Sequence, residues 1–494
     1  MKKVVLSVAV LIVVAVVGGW LFIRNMGMGG MMGGNMPSNK MNGNESSENV
    51  RNENFSEEEK PLPIPPLLKD ENPDPSKSEF SLTAQQSTME FIKGKKTETF
   101  GYNGDYLGPV IRVKKGEDVS IKIKNKLAEA TTVHWHGLEV DGEQDGGPHN
   151  GIKPGTTWNP QFKIEQSAAT LWYHPHLLHE TGEHVYKGLA GLFYIDDEVS
   201  EKLDIPKEYG VNDVPLIIQD KQMDDEGQFD YDLSMHDTMM GLQGDTILVN
   251  GAINPYLEVP KGLMRLRLLN GSNARIYEFS LNNDQEFFQI ASDGGLLEKP
   301  VKVNKLVLSP AERAEILVDF SSFKDGEVVE LTDQGTAFMK FIVKGKKEEK
   351  VTMPDKLAAI PRIDPSNSVR TREFVFQGMG RNVNINGKQM DMDRIDEELK
   401  LNDTEIWEIT NDTGMGMMGG MGHPFHAHGV QFQILDRDGK APPDNEKGWK
   451  DTILVYPDEK VRVIATFNKK GLFMYHCHIL EHEDVGMMGQ FQVE

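Results

Sequence analysis

The stretch YNGDYLGPVIRVKKGEDVSIKIKN, residues 102–125, decides the fold. It opens on an Asn-Gly turn, passes Pro109, and ends in a run around Val119 to Ile123 where apolar and polar residues alternate. Alternation marks a half-buried strand, and Asn-Gly favours the left-handed turns that join strands. The design returns in VNGAINPYLEVPKGLMRLRLLN, residues 249–270, and again where Ile385-Asn386-Gly387 leads to Ile406-Trp407-Glu408-Ile409-Thr410-Asn411. Asn103, Asn250 and Asn386 lie 147 and 136 residues apart. Three copies of one β-domain of about 140 residues therefore account for nearly all of residues 80–494.

Working outward, Lys2 and Lys3 precede an apolar run from Val4 to Ile23, about the ~20 residues that span a bilayer as a helix. It is long for a cleaved signal and lacks an A-x-A-like site, which favours an uncleaved anchor over a signal peptide; either form exports the rest of the chain. The Gly-, Asn- and Met-rich segment after it lacks the apolar periodicity of a core and reads as a tether. The expected organisation is residues 1–24 signal or anchor, 25–78 disordered tether, 79–197 first domain, 198–352 second, and 353–494 third. Lys344 to Pro361, charged and then proline-bearing, reads as the linker between the last two.

The balance of 53 Lys plus Arg against 76 Asp plus Glu, net −23, argues against nucleic acid as a partner. The single cysteine, Cys477, rules out an intramolecular disulfide. It lies between His476 and His478. Three more His-x-His pairs occur, His134/His136, His174/His176 and His426/His428, all in the first and last repeats. Strand side chains alternate faces, so the two members of each pair point the same way. Eight imidazoles suit a cluster of borderline-soft metals. Cys477 faces the other way and needs partners of its own. His423, His482 and Met487 are at hand, and two His, a thiolate and a weak thioether make a blue-copper site. The remaining eight His divide over three coppers as three, three and two. Four coppers store the four electrons that take dioxygen to water.

The segments His134-Trp135-His136-Gly137, Trp172-Tyr173-His174-Pro175-His176, His423-Pro424-Phe425-His426-Ala427-His428 and His476-Cys477-His478-Ile479-Leu480-Glu481-His482-Glu483-Asp484 resemble the four copper motifs of multicopper oxidases, and most of all the bacterial branch of cuprous oxidases and laccases. The resemblance implies an all-β chain of three consecutive cupredoxin-like barrels, with the cluster shared by the first and third. By match to the motifs, His134 and His426 would hold type 2 copper. His136, His174 and His478 would hold one type 3 copper, and His176, His428 and His476 the other. His423, Cys477, His482 and Met487 would hold type 1. It also marks Asp145 and Glu483 as proton-relay acids, needed because dioxygen reduction consumes four protons. Of the four other histidines, His179 and His184 read as outer or surface residues and His236 as part of a surface loop.

The run Met415-Gly416-Met417-Met418-Gly419-Gly420-Met421-Gly422 leads directly into His423. Thioethers suit Cu(I), so Met417, Met418 and Met421 are the candidate substrate residues. Relatives often carry a carboxylate where Gly419 stands, and a long Met-rich insertion where Met379 to Met392 is short. The expected function is an exported, monomeric oxidase taking electrons from Cu(I), in copper tolerance or homeostasis, or from small phenols, with dioxygen as acceptor. A copper-binding electron-transfer protein without turnover is the rival from another class. The membrane is expected to be touched only through the N-terminal segment.

Overall fold

The computed structural model describes residues 59–347, 353–413 and 420–494. Strands dominate, and they fall into three successive sets, each made of two sheets: residues 77–196, 213–347 and 370–493. The chain is all-β, with three consecutive cupredoxin-like domains. The sets share one wiring. Strand Lys77–Met89 pairs in parallel with Asp118–Asn125, Asp213–Lys221 with Leu263–Asn270, and Arg370–Gln377 with Thr404–Asn411.

The repeated asparagines explain why. Asn103, Asn250 and Asn386 all have positive φ, at 57°, 51° and 54°, a region where Asn is tolerated better than most residues. Each uses its side-chain amide to clip the first strand of its domain. The oxygen accepts from the backbone of Thr83, Ile217 or Val375, and the nitrogen donates to Ser81, Pro215 or Glu373, at 2.7–2.9 Å. A second set, Asn125, Asn270 and Asn411, ends the paired strand; each donates to two backbone carbonyls, those of Asn411 being Met421 and Val455.

Each domain has its own apolar core. One is built around Phe80, Ile121 and Trp135, one around Leu266, Phe279 and Phe341, and one around Phe374, Trp407, Phe425 and Phe491. A further cluster of Trp172, Leu192, Ile217 and Leu269 seals the first domain against the second.

Two expected boundaries shift. Residues 59–76, assigned to the tether, lie on the folded body. The Leu62 and Leu68 amides donate to the carbonyls of Tyr256 and Val110, and Leu62 is buried. The prolines there favour extended backbone, which docks as isolated bridges onto two domains. Likewise Lys344 is not yet linker: strand Thr336–Lys347 runs on until Lys347 meets Lys261. After it, Leu357 and Ile360 are buried, and the Leu357 amide bonds Glu298. The Val4–Ile23 run lies outside the described residues; among those described, no helix is long and apolar enough to cross a membrane.

Candidate metal centre

Two strand pairs carry the histidines. In the first domain, His134–His136 pairs antiparallel with Ala169–His174, setting His134 opposite His174. In the third, His423–Ala427 pairs with Gly471–Cys477, setting His426 opposite His476 and Phe425 opposite Cys477. Only His134/His136 lies wholly within one strand. His176, His428 and His478 fall just beyond strand ends, yet all eight rings converge and all are buried. Rings from the two domains stack: His134 on His428 at 3.8 Å, and His136 on His426 at 3.7 Å.

Most of these rings are tied outward through one nitrogen, so that the other faces inward. The Nδ1–H of His134 donates to the Asp145 carbonyl at 3.0 Å, and that of His426 to the Asp451 carbonyl at 2.8 Å. Their Nε2 atoms are buried with no hydrogen-bond partner. His174 donates through Nδ1 to the Pro175 carbonyl, and His428 through Nδ1 to Asp145 Oδ2 at 2.8 Å. Glu483 stands between two rings, 3.3 Å from His176 Nδ1 and 3.1 Å from His476 Nδ1. The inward nitrogens crowd: His176 and His476 Nε2 are 3.1 Å apart, and His428 and His476 Nε2 3.2 Å. His136 is held the other way round, with Nε2 3.0 Å from Asp451 Oδ1 and Nδ1 3.3 Å from His174 Nε2.

Three ligand groups result: His136 with His174 and His478, His176 with His428 and His476, and the pair His134 and His426, with His136 near them. Within each set of three, ligand atoms lie within 4.8 Å of one another, so each could hold a metal ion. Burial depresses the ring pKa values, to about 3 for His176 and His478 and well below 6.5 for His136, His174, His426 and His428, where neighbouring imidazoles add to it. Neutral imidazole is the metal-binding form. Outward nitrogens fixed on carbonyls and carboxylates, with inward nitrogens crowded together or, at His134 and His426, lacking partners, suit a copper cluster.

The second site lies on the other face of the Gly471–Cys477 strand. Nδ1 of His423 is 3.3 Å from Cys477 Sγ, and Nδ1 of His482 is 3.9 Å from it. Met487 is buried in the same core; its carbonyl accepts from the Cys477 amide, and its amide donates to the His482 carbonyl. Burial pushes the free thiol up, and a coordinating metal would deprotonate it. The outer nitrogen of His482 donates to the Met239 carbonyl at 3.1 Å. Met239 lies on the helix Met235–Met240, capped by Ser234. His236, expected on a loop, stands exposed on this helix.

Asp145 and Glu483 are both buried. Asp145 ends the short helix Gly142–Asp145. Gly146, at φ 83°, then brings the chain so close to the His134 strand that a Cβ would sit 1.8 Å from the Val133 carbonyl. A cavity of about 160 Å3, lined by Gly147, His149, Asn150 and Met474, reaches Asp145. Burial would raise the Glu483 carboxyl, but the imidazoles of His176, His476 and His478 hold it below the usual carboxylate range. Met421 packs, half buried, against the core that holds Cys477; Met417 and Met418 lie outside the described residues. His179 donates to the Asp484 carbonyl, and buried His184 meets Glu129 and Thr131.

With this geometry in hand, known proteins decide the family. Models described as multicopper oxidase match residues 83–200 and 361–494. The chain is 44% identical over 443 residues to a multicopper oxidase of Staphylococcus aureus, covering 90% of this chain and 94% of that protein. The chain belongs to the multicopper oxidase family. As such it is a copper oxidoreductase with dioxygen as acceptor. Among solved multicopper oxidases, a laccase from Pediococcus acidilactici superposes with a TM-score of 0.85 at 42% identity, over 89% of this chain and 95% of that one. A multicopper oxidase from Campylobacter jejuni, described as a metallo-oxidase, superposes at 0.78 and 31% identity, over 90% and 97%.

Asp451 carries no signal in the sequence. It is fully buried and touches rings of two of the candidate metal groups, His136 and His426. Burial would raise its carboxyl, yet the Arg313 guanidinium against it holds it below the usual range. In Gly448-Trp449-Lys450-Asp451-Thr452 nothing sets it apart from the other acids of an acidic chain.

Proposed function

We propose that this multicopper oxidase is an exported, monomeric cuprous oxidase. Copper at His423, Cys477, His482 and Met487 (type 1) would accept single electrons. Three coppers would reduce dioxygen to water: type 2 on His134 and His426, and a type 3 pair on His136, His174 and His478 and on His176, His428 and His476. The metals supply the one-electron redox steps and the dioxygen site; the chain supplies orientation, protons and the donor surface. Cys477 and its two neighbouring histidines join the sites through one stretch of backbone. Asp145, at the cavity, and Glu483, between His176 and His476, would pass protons to the cluster.

The observation that carries the choice of donor is the roof over His482. Its outer nitrogen, the edge through which a donor would pass an electron, is bonded to the Met239 carbonyl rather than open to a bulky ring. Met235, 82% exposed, begins that helix, and Met421 lies two residues before His423. Methionines on that helix and in the stretch before His423 supply thioethers, which suit a soft cation. The N-terminal segment, as signal or anchor, would set the enzyme outside the cytoplasm, where it would contribute to copper tolerance.

Steady-state oxidation of Cu(I) and of a bulky phenol tests this. Cu(I) should be the better donor, and Met421→Leu with Met417→Leu and Met418→Leu should raise its KM about tenfold, the loss of one soft ligand contact. Efficient phenol turnover without added copper, untouched by these changes, would sink the cuprous reading and favour a laccase.

A further inference from the structure

The middle domain carries none of the clustered histidines, yet one of its side chains grips an acid that touches them. Arg313, on strand Arg313–Asp319, is fully buried. All five of its N–H donors are engaged. Nε donates to the Thr170 carbonyl of the first domain at 3.1 Å. The two terminal nitrogens donate to the carbonyls of Ala311 and Asp293, and as a fork to Asp451 of the third domain, at 2.8 Å to Oδ1 and 2.6 Å to Oδ2. Bidentate guanidinium–carboxylate pairs fix geometry as well as charge.

What Asp451 does with that geometry is the point. Gln431 donates to Oδ2 and Thr452 to Oδ1, each at 2.9 Å. With the Arg313 fork, these donors fix the carboxylate plane. Oδ1 then meets the His136 ring at Nε2, and the Asp451 carbonyl meets the His426 ring at Nδ1. Gly137 makes room. At φ 84°, a Cβ there would sit 2.4 Å from Asp451 Oδ2 and 2.7 Å from Arg313 Nη2.

We infer that Arg313 is a positioning residue for the copper cluster. By orienting Asp451 it fixes the ring of His136, so that Nε2 carries the hydrogen and Nδ1 is left for metal beside His174 and His478. It also seats the Asp451 carbonyl that accepts from the His426 ring. The inference rests on the cluster assignment proposed above. Outer hydrogen-bond partners of metal-binding histidines typically change metal affinity by about 10–100-fold.

The test uses the copper-loaded full chain and compares Arg313→Lys, which keeps the charge and loses the fork, with Arg267→Lys. Arg267 is a similarly buried arginine that forks onto Asp213 and also bonds Thr170 and Glu315, not Asp451. Copper per chain, affinity by chelator competition, the blue absorption and the type 2 paramagnetic spectrum are read. Arg313→Lys should keep the blue absorption, lose cluster copper at least tenfold more readily, and alter the type 2 spectrum, while Arg267→Lys leaves both unchanged. Unaltered chelator competition and type 2 spectrum in Arg313→Lys, or the same cluster loss in Arg267→Lys, would overturn the inference. If Arg313→Lys does not fold, Asp451→Asn decides on the same readings. A wild-type chain that holds a blue copper but no cluster would instead refute the proposed function.

Discussion

Replacing Asp145 by Asn separates two things its carboxylate does. Oδ2 accepts from His428 Nδ1 at 2.8 Å and lies 3.3 Å from His134 Nδ1, so it braces rings of two metal groups. Oδ1 is buried with no hydrogen-bond partner, and Asp145 lines the cavity described above. Asparagine has the same size and still offers one oxygen to His428. What it loses there is the difference between a charge-assisted and a neutral hydrogen bond, about 1 kcal/mol, or roughly fivefold. What it loses as a proton carrier is the whole contribution of a placed acid–base group, about 10²–10⁴-fold. The relay reading therefore predicts a fall of at least about 100-fold in kcat for dioxygen consumption at saturating donor. Anaerobic reduction of the blue copper should proceed at the wild-type rate. The deficit should widen with rising pH, as solvent protons become scarce, and Asp145→Glu should restore part of the rate. A loss below tenfold with an unchanged pH profile would mean that Asp145 only holds His428, and the relay reasoning would be refuted.

Other outcomes rest on the same geometry. Cys477→Ser should abolish the blue absorption and donor-driven turnover while far-ultraviolet circular dichroism stays unchanged, since the only cysteine makes no disulfide. His426→Ala should keep the blue absorption and stop dioxygen uptake; full turnover would break the cluster assignment. Metal-free protein should lose stability as pH falls from about 6.5 toward 4. His482 titrates near 4 when folded, because burial disfavours its charged form, against an ordinary 6.5, so the unfolded chain gains protons first. That ring alone contributes about 3 kcal/mol across the window; carboxyls that burial raises, Glu481 to about 7, Asp293 to about 6 and Asp484 in the same direction, act oppositely, but the buried histidines with lowered values outnumber them. Thermal melts against pH check this, and a midpoint that rises on acidification would contradict it.

The sequence was most legible where side chains repeat. The Asn-Gly starts announced three domains because Asn at positive φ is a backbone requirement that recurs with the fold. The histidine pairs were legible because metal binding demands particular atoms, and the rings that the motifs grouped do lie together. Harder to read were features that depend on distant strands. Asp451 is one acid among 76 until Arg313 and His136, more than a hundred and three hundred residues away, meet it. The Met239 carbonyl that roofs His482 is backbone, and no residue type encodes it. The tether's end at 78 was placed too late because prolines that look like a spacer can also dock as extended chain.

The register that sets Phe425 opposite Cys477 and His426 opposite His476 has a consequence for chemistry in air. It makes one sheet the partition between two half-cells. On the proposed assignment, a donor would surrender electrons on the side of His482, and dioxygen would be consumed among the eight rings on the other. Oxidant and reductant would then not share a volume, so a partly reduced oxygen species would have no free donor within reach to attack. A slip of one residue would exchange the two faces and put the thiol in the oxygen chamber. On that assignment strand pairing would be a form of insulation, its fidelity keeping the enzyme from its own substrates.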